Sequence, residues 1–153
     1  YEGEKLSKSL GNLIWVRDLL QEHTPDAVRI LVTSHRYYET WEYDDAELIP
    51  ADALADLLLR AAQATGGAGQ SVDPQEDVAA FEAAMDDNLN SRVALAALER
   101  LARRILDGAA AGNNIADAQR TLHKLATVFG LRLGAPLEPR VEQGWDAHHK
   151  RFE

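Results

Sequence analysis

Apolar residues recur along this chain at intervals of three and four, the spacing that places them on one face of an α-helix. Leu13, Val16, Leu19 and Leu20 open the series. Thr24-Pro25-Asp26 then resets it, with Thr as an N-cap candidate and Pro at the first helical position, where its missing N–H costs nothing. The next helix is expected over 26–34, with Ala27, Ile30, Leu31 and Ser34 on one stripe and Arg29 pointing elsewhere. Residues 35–43 break the period. They are dense in aromatics (Tyr37, Tyr38, Trp41, Tyr43), and their β-propensity predicts a short extended segment or a structured turn. Asp44 and Asp45 are natural helix-start residues. A long helix is expected from Asp45 or Ala51 to Ala64, with Leu54, Leu57, Leu58 and Ala61 on one face and Pro50 as a kink or a second start.

Thr65-Gly66-Gly67-Ala68-Gly69-Gln70-Ser71 is the one clear linker signal. Three more helices follow it. The first spans 74–85, capped by Asp73, and buries Val78, Phe81 and Met85. The second, 90–107, places Ala94, Leu98, Leu101 and Ile105 in a narrow arc, with Arg100, Arg103 and Arg104 opposite. The third, 115–129, runs through Ala118, Leu122, Leu125 and Phe129 after a Gly112-Asn113-Asn114 turn; residues 138–153 could form one more. Short loops between such helices predict antiparallel packing, so the fold class is predominantly all-α and its second part a helical bundle.

Composition narrows the setting. The 153 residues are 46% hydrophobic, enough for a real core, and contain no Cys and five His, so neither a disulfide framework nor a self-contained zinc site is expected. No apolar run approaches the roughly 20 residues that span a bilayer, and no signal-peptide pattern opens the chain; a cytoplasmic protein without a membrane partner is the expectation. The net charge of −9 is unfavourable for phosphate binding. It is also uneven: residues 1–40 carry five basic and six acidic groups, whereas 41–153 carry eleven and nineteen. Contact with phosphate is therefore expected from the first part.

One loop carries chemistry. Gly3 and Gly11 bracket a polar stretch in which Lys5 and Lys8 alternate with Ser7 and Ser9. Mobile ammonium and hydroxyl donors of this kind suit a polyphosphate. Where a reaction expels pyrophosphate, cations that reach the leaving group mainly in the transition state lower the barrier rather than only tightening binding. A solvated basic loop is the plain alternative.

Gly3-Glu4-Lys5-Leu6-Ser7-Lys8-Ser9-Leu10-Gly11-Asn12 resembles the second signature of class I aminoacyl-tRNA synthetases, usually written KMSKS, with Leu6 in place of Met. Val16-Arg17-Asp18-Leu19-Leu20, Asp26-Ala27-Val28-Arg29 and Ser34-His35-Arg36-Tyr37 resemble the segment after that signature in cysteinyl-tRNA synthetases, although those typically show a Ser-His-Tyr-Arg order. Phe81-Glu82-Ala83-Ala84-Met85-Asp86-Asp87-Asn88-Leu89-Asn90 is similar to the entry into their helical anticodon-side domain. The resemblance covers about residues 1–130. It implies Lys5 and Lys8 as catalytic residues at the pyrophosphate end of ATP, and an ATP-binding set of Lys5, Ser7, Lys8 and Ser9, with magnesium accompanying the nucleotide. It also implies tRNA and cysteine as partners, and a nucleotide-binding fold with any zinc ligands upstream.

The organisation this implies is an ATP-signature loop and stem-contact-like region over 1–44, a connecting helix over 45–64, a linker over 65–73 and an anticodon-binding-like bundle over 74–153. Because the chain starts with Tyr only four positions before Lys5, it reads as a fragment, inactive alone. A ligase that joins cysteine to an amino sugar in mycothiol synthesis, and a noncatalytic helical interaction module, are the competing readings.

Other residues have two readings each. Asp86, Asp87, Asn88 and Asn90 are read as helix caps in preference to a cation site. Arg100, Arg103 and Arg104 are read as a solvated face in preference to phosphate contacts, and Trp41 with the tyrosines as a packing hinge in preference to a base-stacking surface. Arg17, Arg29 and Arg36 are the candidates for the inner corner of tRNA, with salt bridges to Asp18, Asp26 and Glu39 as the alternative.

Overall fold

The structure, a computed structural model, describes residues 14–134. The six helices among them are α1 (Val16–Leu19), α2 (Pro25–Thr33), α3 (Leu48–Gln63), α4 (Gln75–Asp86), α5 (Ser91–Ala110) and α6 (Ala116–Ala126). No β-strand occurs among the described residues; the aromatic stretch before Asp44 is irregular. Residues 138–153 lie outside the described residues.

Local chemistry sets the helix starts. Thr24 Oγ1 accepts the Ala27 amide at 3.1 Å with Pro25 at the first helical position. Asp44 accepts the Ala46 amide at 2.9 Å and begins a 3-10 turn over Asp45–Glu47 that feeds α3. Pro50 falls in the first turn of α3 and neither kinks it nor restarts it, because the amides of that turn have no carbonyl to reach. The run at 86–90 behaves differently from the capping expectation. Asn90 occupies the N-cap position of α5 but makes no side-chain cap; its side-chain Nδ2 donates to Asp87 Oδ2 at 3.0 Å instead. Asn88 and Leu89 take left-handed φ values of 50° and 53°, turning the chain sharply between α4 and α5.

Helix α5 is the centre of the packing, with α4, α3 and α6 against it and α2 against α3. Its predicted stripe, Ala94, Leu98, Leu101 and Ile105, is wholly buried. On α3 the buried set is Leu48, Ala51, Ala55, Leu58 and Ala61, and Leu54 and Leu57 are only half-buried because they line a groove. One continuous core runs from Ala27 on α2 through α3, α4, α5 and α6 to Leu133.

The glycine-rich stretch after α3 is part of this body. Gly67 and Gly69 donate to the carbonyls of Asn113 and Gly112 at 2.7 and 3.0 Å, Val72 donates to Asn114 at 2.9 Å, and Asn114 donates back to Gln70 at 3.1 Å. Ser71 and Asn114 form an isolated parallel bridge. The approach is so close that a Cβ on Gly67 would lie 2.1 Å from the Gly112 carbonyl oxygen. Gln119 closes the other end, its amide nitrogen donating to the carbonyls of Ala61, Ala62 and Ala64 at 2.9 to 3.2 Å and satisfying the last turn of α3.

Candidate functional site

Lys5, Ser7, Lys8 and Ser9, the residues expected to carry the chemistry, lie outside the described residues. What the structure positions is the stretch that follows that loop in sequence, where Arg17, Arg29 and Arg36 sit on α1, on α2 and in the irregular segment after α2.

Each arginine is engaged by the acid expected as its competitor. The Arg17 Nε donates to Asp18 at 3.2 Å, and its guanidinium lies over the Trp15 ring with 5.4 Å to the centroid. Both partners are largely exposed, so the pair contributes little and leaves Arg17 available. Arg36 hydrogen-bonds the Tyr38 hydroxyl, stacks at 5.8 Å over the Tyr38 ring and lies 4.0 Å from Glu39. The Tyr38 hydrogen bond, helped by Glu39 and Asp87, raises the guanidinium above its usual value, so Arg36 is a fixed cation. Arg29 is tied to Asp26 at 3.5 Å, and its side chain runs beneath Gly130, a different setting taken up below.

The aromatic segment is less of a hinge than expected. Only Tyr43 is buried; Tyr37, Tyr38 and Trp41 are exposed. They are nevertheless held in place. The Tyr37 hydroxyl donates to Asn88 at 3.0 Å, Tyr38 meets Tyr37 edge to face, and Trp41 lies flat on His35 with 3.9 Å between centroids. His35 in turn is 3.0 Å from Glu47, and His23 is 2.6 Å from Asp52, so histidines on either side of α2 bond carboxylates at the start of α3.

Beside this segment a groove of about 770 Å³ opens between α2, α3 and α5. Its floor is apolar, with Ile30, Leu54, Leu57 and Leu95; Arg60, Arg92 and Arg103 stand on its rim with Glu47, Asp56 and Glu99. Arg103 Nη2 bonds Glu99 at 2.6 Å and Arg60 lies 3.6 Å from Asp56, so the rim charges balance.

Arg100 and Arg104 are not the solvated face that the helical wheel suggests. Asp77, on the first turn of α4, is completely buried; Arg100 Nε donates to one of its oxygens at 2.6 Å and Arg104 Nη1 to the other at 2.5 Å. Arg104 also donates to the Asp73 carbonyl at 2.8 Å. Arg103 is the most exposed of the three and takes no part in the Asp77 pair, while Arg100 and Arg104 remain partly exposed. The signal was available in principle: Asp77 precedes Phe81 by four positions and so shares its buried face.

Among the described residues no group of three or more His, Asp or Glu is placed to hold a metal ion, and no helix is long and apolar enough to cross a membrane.

Comparison with known proteins meets this geometry at two places. Residues 1–53 match the family described as tRNA synthetases class I (C) catalytic domain, and residues 80–134 match the DALR domain. A protein of Nocardiopsis dassonvillei named L-cysteine:1D-myo-inositol 2-amino-2-deoxy-alpha-D-glucopyranoside ligase is 38% identical over 133 residues, which is 86% of this chain and 31% of that protein. A cysteine–tRNA ligase of Kocuria rhizophila is 39% identical over 134 residues, 86% of this chain and 27% of the ligase. A second cysteine–tRNA ligase, from Azotobacter vinelandii, is 39% identical over 110 residues, 68% of this chain and 22% of the ligase. The chain thus spans about a third or less of the relatives it matches.

Proposed function

We propose, for a chain that belongs to the class I (C) tRNA synthetases and joins part of their catalytic domain to a DALR domain, that the intact protein is a cysteine–tRNA ligase working in the cytoplasm. One observation carries the reading: the Lys5-Leu6-Ser7-Lys8-Ser9 loop falls inside the stretch matched to the catalytic domain, and a DALR domain follows it at residues 80–134.

In this reading the cysteine carboxylate attacks the α-phosphorus of ATP and pyrophosphate leaves; a terminal ribose hydroxyl of tRNA then attacks the adenylate carbonyl, forming the cysteinyl ester as AMP leaves. Lys5 and Lys8 neutralise the charge that builds on the departing pyrophosphate, and Ser7 and Ser9 donate hydrogen bonds to the phosphate oxygens. The nucleotide arrives with magnesium. Zinc chemistry has no donor set among the described residues, and no step here runs through it. Arg17, Arg29 and Arg36 are the cations of the first part proposed to meet tRNA phosphate, Arg17 being the most exposed and the other two partly so.

Lys8→Ala in the intact protein is expected to slow cysteine-dependent pyrophosphate exchange by about 100-fold or more, as loss of a transition-state cation does. An unchanged rate sinks the assignment.

A second reading has a specific observation behind it: three of the similar proteins are named as ligases joining cysteine to an amino sugar of inositol, at 38–40% identity beside 35–39% for the tRNA ligases. The acidic balance of residues 41–153 favours it too. Retention of labelled tRNA by the intact protein separates the two, since an amino-sugar ligase has no use for it.

A further inference from the structure

Asp26 holds together parts of the chain that are 106 residues apart. Its carboxylate, largely shielded from solvent, accepts the Arg132 amide at 3.1 and 3.0 Å on its two oxygens and the Leu133 amide at 2.9 Å. These amides belong to a turn with three left-handed residues, Gly130 at φ 69°, Leu133 at 50° and Gly134 at 84°. A left-handed leucine is uncommon and persists only where its surroundings fix it. Here Leu133 is buried and its amide is bonded, while Leu131 is buried beside it.

Arg29 completes the arrangement from one helical turn further on. Its Nη1 lies 3.5 Å from Asp26, and its Nε and Cδ are 3.5 and 3.6 Å from the point where a side chain on Gly130 would begin. Gly134 packs more tightly still on the other side, where a Cβ would lie 2.8 Å from Leu59 and 3.1 Å from Gln63 of α3. Arg29 Nη1 is buried without a hydrogen bond, although the rest of the side chain is partly exposed.

The clasp therefore joins the two segments matched to different families, since Asp26 and Arg29 lie within residues 1–53 and Arg132 and Leu133 within 80–134. We propose that Asp26, with Arg29, is a positioning residue for transfer: it locks the last turn of the DALR domain to α2, in the segment matched to the catalytic domain, so that tRNA docked on the helical bundle is held in register with the site where cysteine is activated. This rests on the tRNA-ligase reading and extends it. Activation needs only the small substrates and does not depend on the clasp; transfer does.

The test uses the full-length enzyme with Asp26→Ala and the milder Asp26→Asn, which keeps the shape and one acceptor oxygen. Hydrogen exchange at the Arg132 and Leu133 amides reports whether the clasp has opened, and is expected to accelerate at least about ten-fold in Asp26→Ala. Cysteine-dependent pyrophosphate exchange should stay within about two-fold of wild type while kcat/KM for tRNA falls by roughly ten-fold or more, with Asp26→Asn between the two. Opened amides with unchanged tRNA kinetics, or a parallel fall in both reactions, overturn the proposal and leave the tRNA ligase standing. A wild-type enzyme that retains no tRNA removes the ligase reading, and the clasp's role in transfer with it.

Discussion

Asp77 shows how much a single side chain organises. A wholly buried carboxylate is costly unless its oxygens are matched, and here two guanidinium groups reach it from successive turns of α5. Both arginines are partly exposed, which tempers the cost of stranding them, but the carboxylate also anchors the first turn of α4. Asp77→Ala should therefore destabilise the chain by about 3 kcal/mol, the lower end expected for removing one member of a buried ion pair. Urea unfolding measures this; a loss under about 1 kcal/mol would show that the pair nearly breaks even. Arg103→Ala, one position before Arg104 but facing its own Glu99, should cost only a few tenths of a kcal/mol as an exposed pair. The sequence put Asp77 on the buried face of α4 but did not say which arginines would reach it. A helical wheel places all three arginines opposite the apolar arc and says nothing of an acid on a neighbouring helix. Asp26 was hidden for the same reason, its partners being backbone amides 106 and 107 residues away.

At the scale of elements, periodicity identified every long helix, because each keeps one face on a common core; the stripes of α5 and α6 match their buried sets closely. It was weaker on α3, where two faces are partly covered, and on α1, a single turn too short for its period to mean much. Composition misled at the glycine-rich stretch. Flexible linkers are rich in glycine, but so are places where two backbones must touch, and only the packing tells the two apart. Gly67→Ala and Gly112→Ala separate the possible reasons for glycine here. A Cβ on Gly67 would collide with fixed backbone at 2.1 Å, whereas Gly112, at φ 72°, faces open space and bears only the left-handed penalty. Urea melts should give about 3 kcal/mol for the first, as for severe overpacking, and about 1 kcal/mol for the second. Equal losses would mean that the close approach is not what requires glycine at 67.

At the scale of the molecule, the two family matches do not correspond to two independent cores. Leu58 of α3, Leu98 of α5 and Leu122 of α6 are fully buried in one cluster that also takes in Ile30 and Leu31 of α2. The Asp26 clasp and the glycine strap then fix the surface connections across it. A chain packed in this way should unfold as a unit, so calorimetry on residues 1–153 is expected to give a single transition with equal calorimetric and van't Hoff enthalpies. A resolved second peak would show that the segments fold separately. The kinship was legible in the lysine loop and the run around Asp86, while the link between α2 and the turn at 130–134 became visible only in three dimensions.

The docked strap at 65–72 also bears on how this chain responds to proteases and to engineering. An unstructured glycine-rich tract is a natural place for a protease to nick or for an engineer to insert a tag or a new domain. This one offers a protease little slack, because an active-site cleft must draw out several residues in extended form and here Gly67, Gly69 and Val72 are bound through their amides to the turn at 112–114. Of the connections in the described chain, the one that looks most expendable on paper is among the least free to accept a foreign sequence.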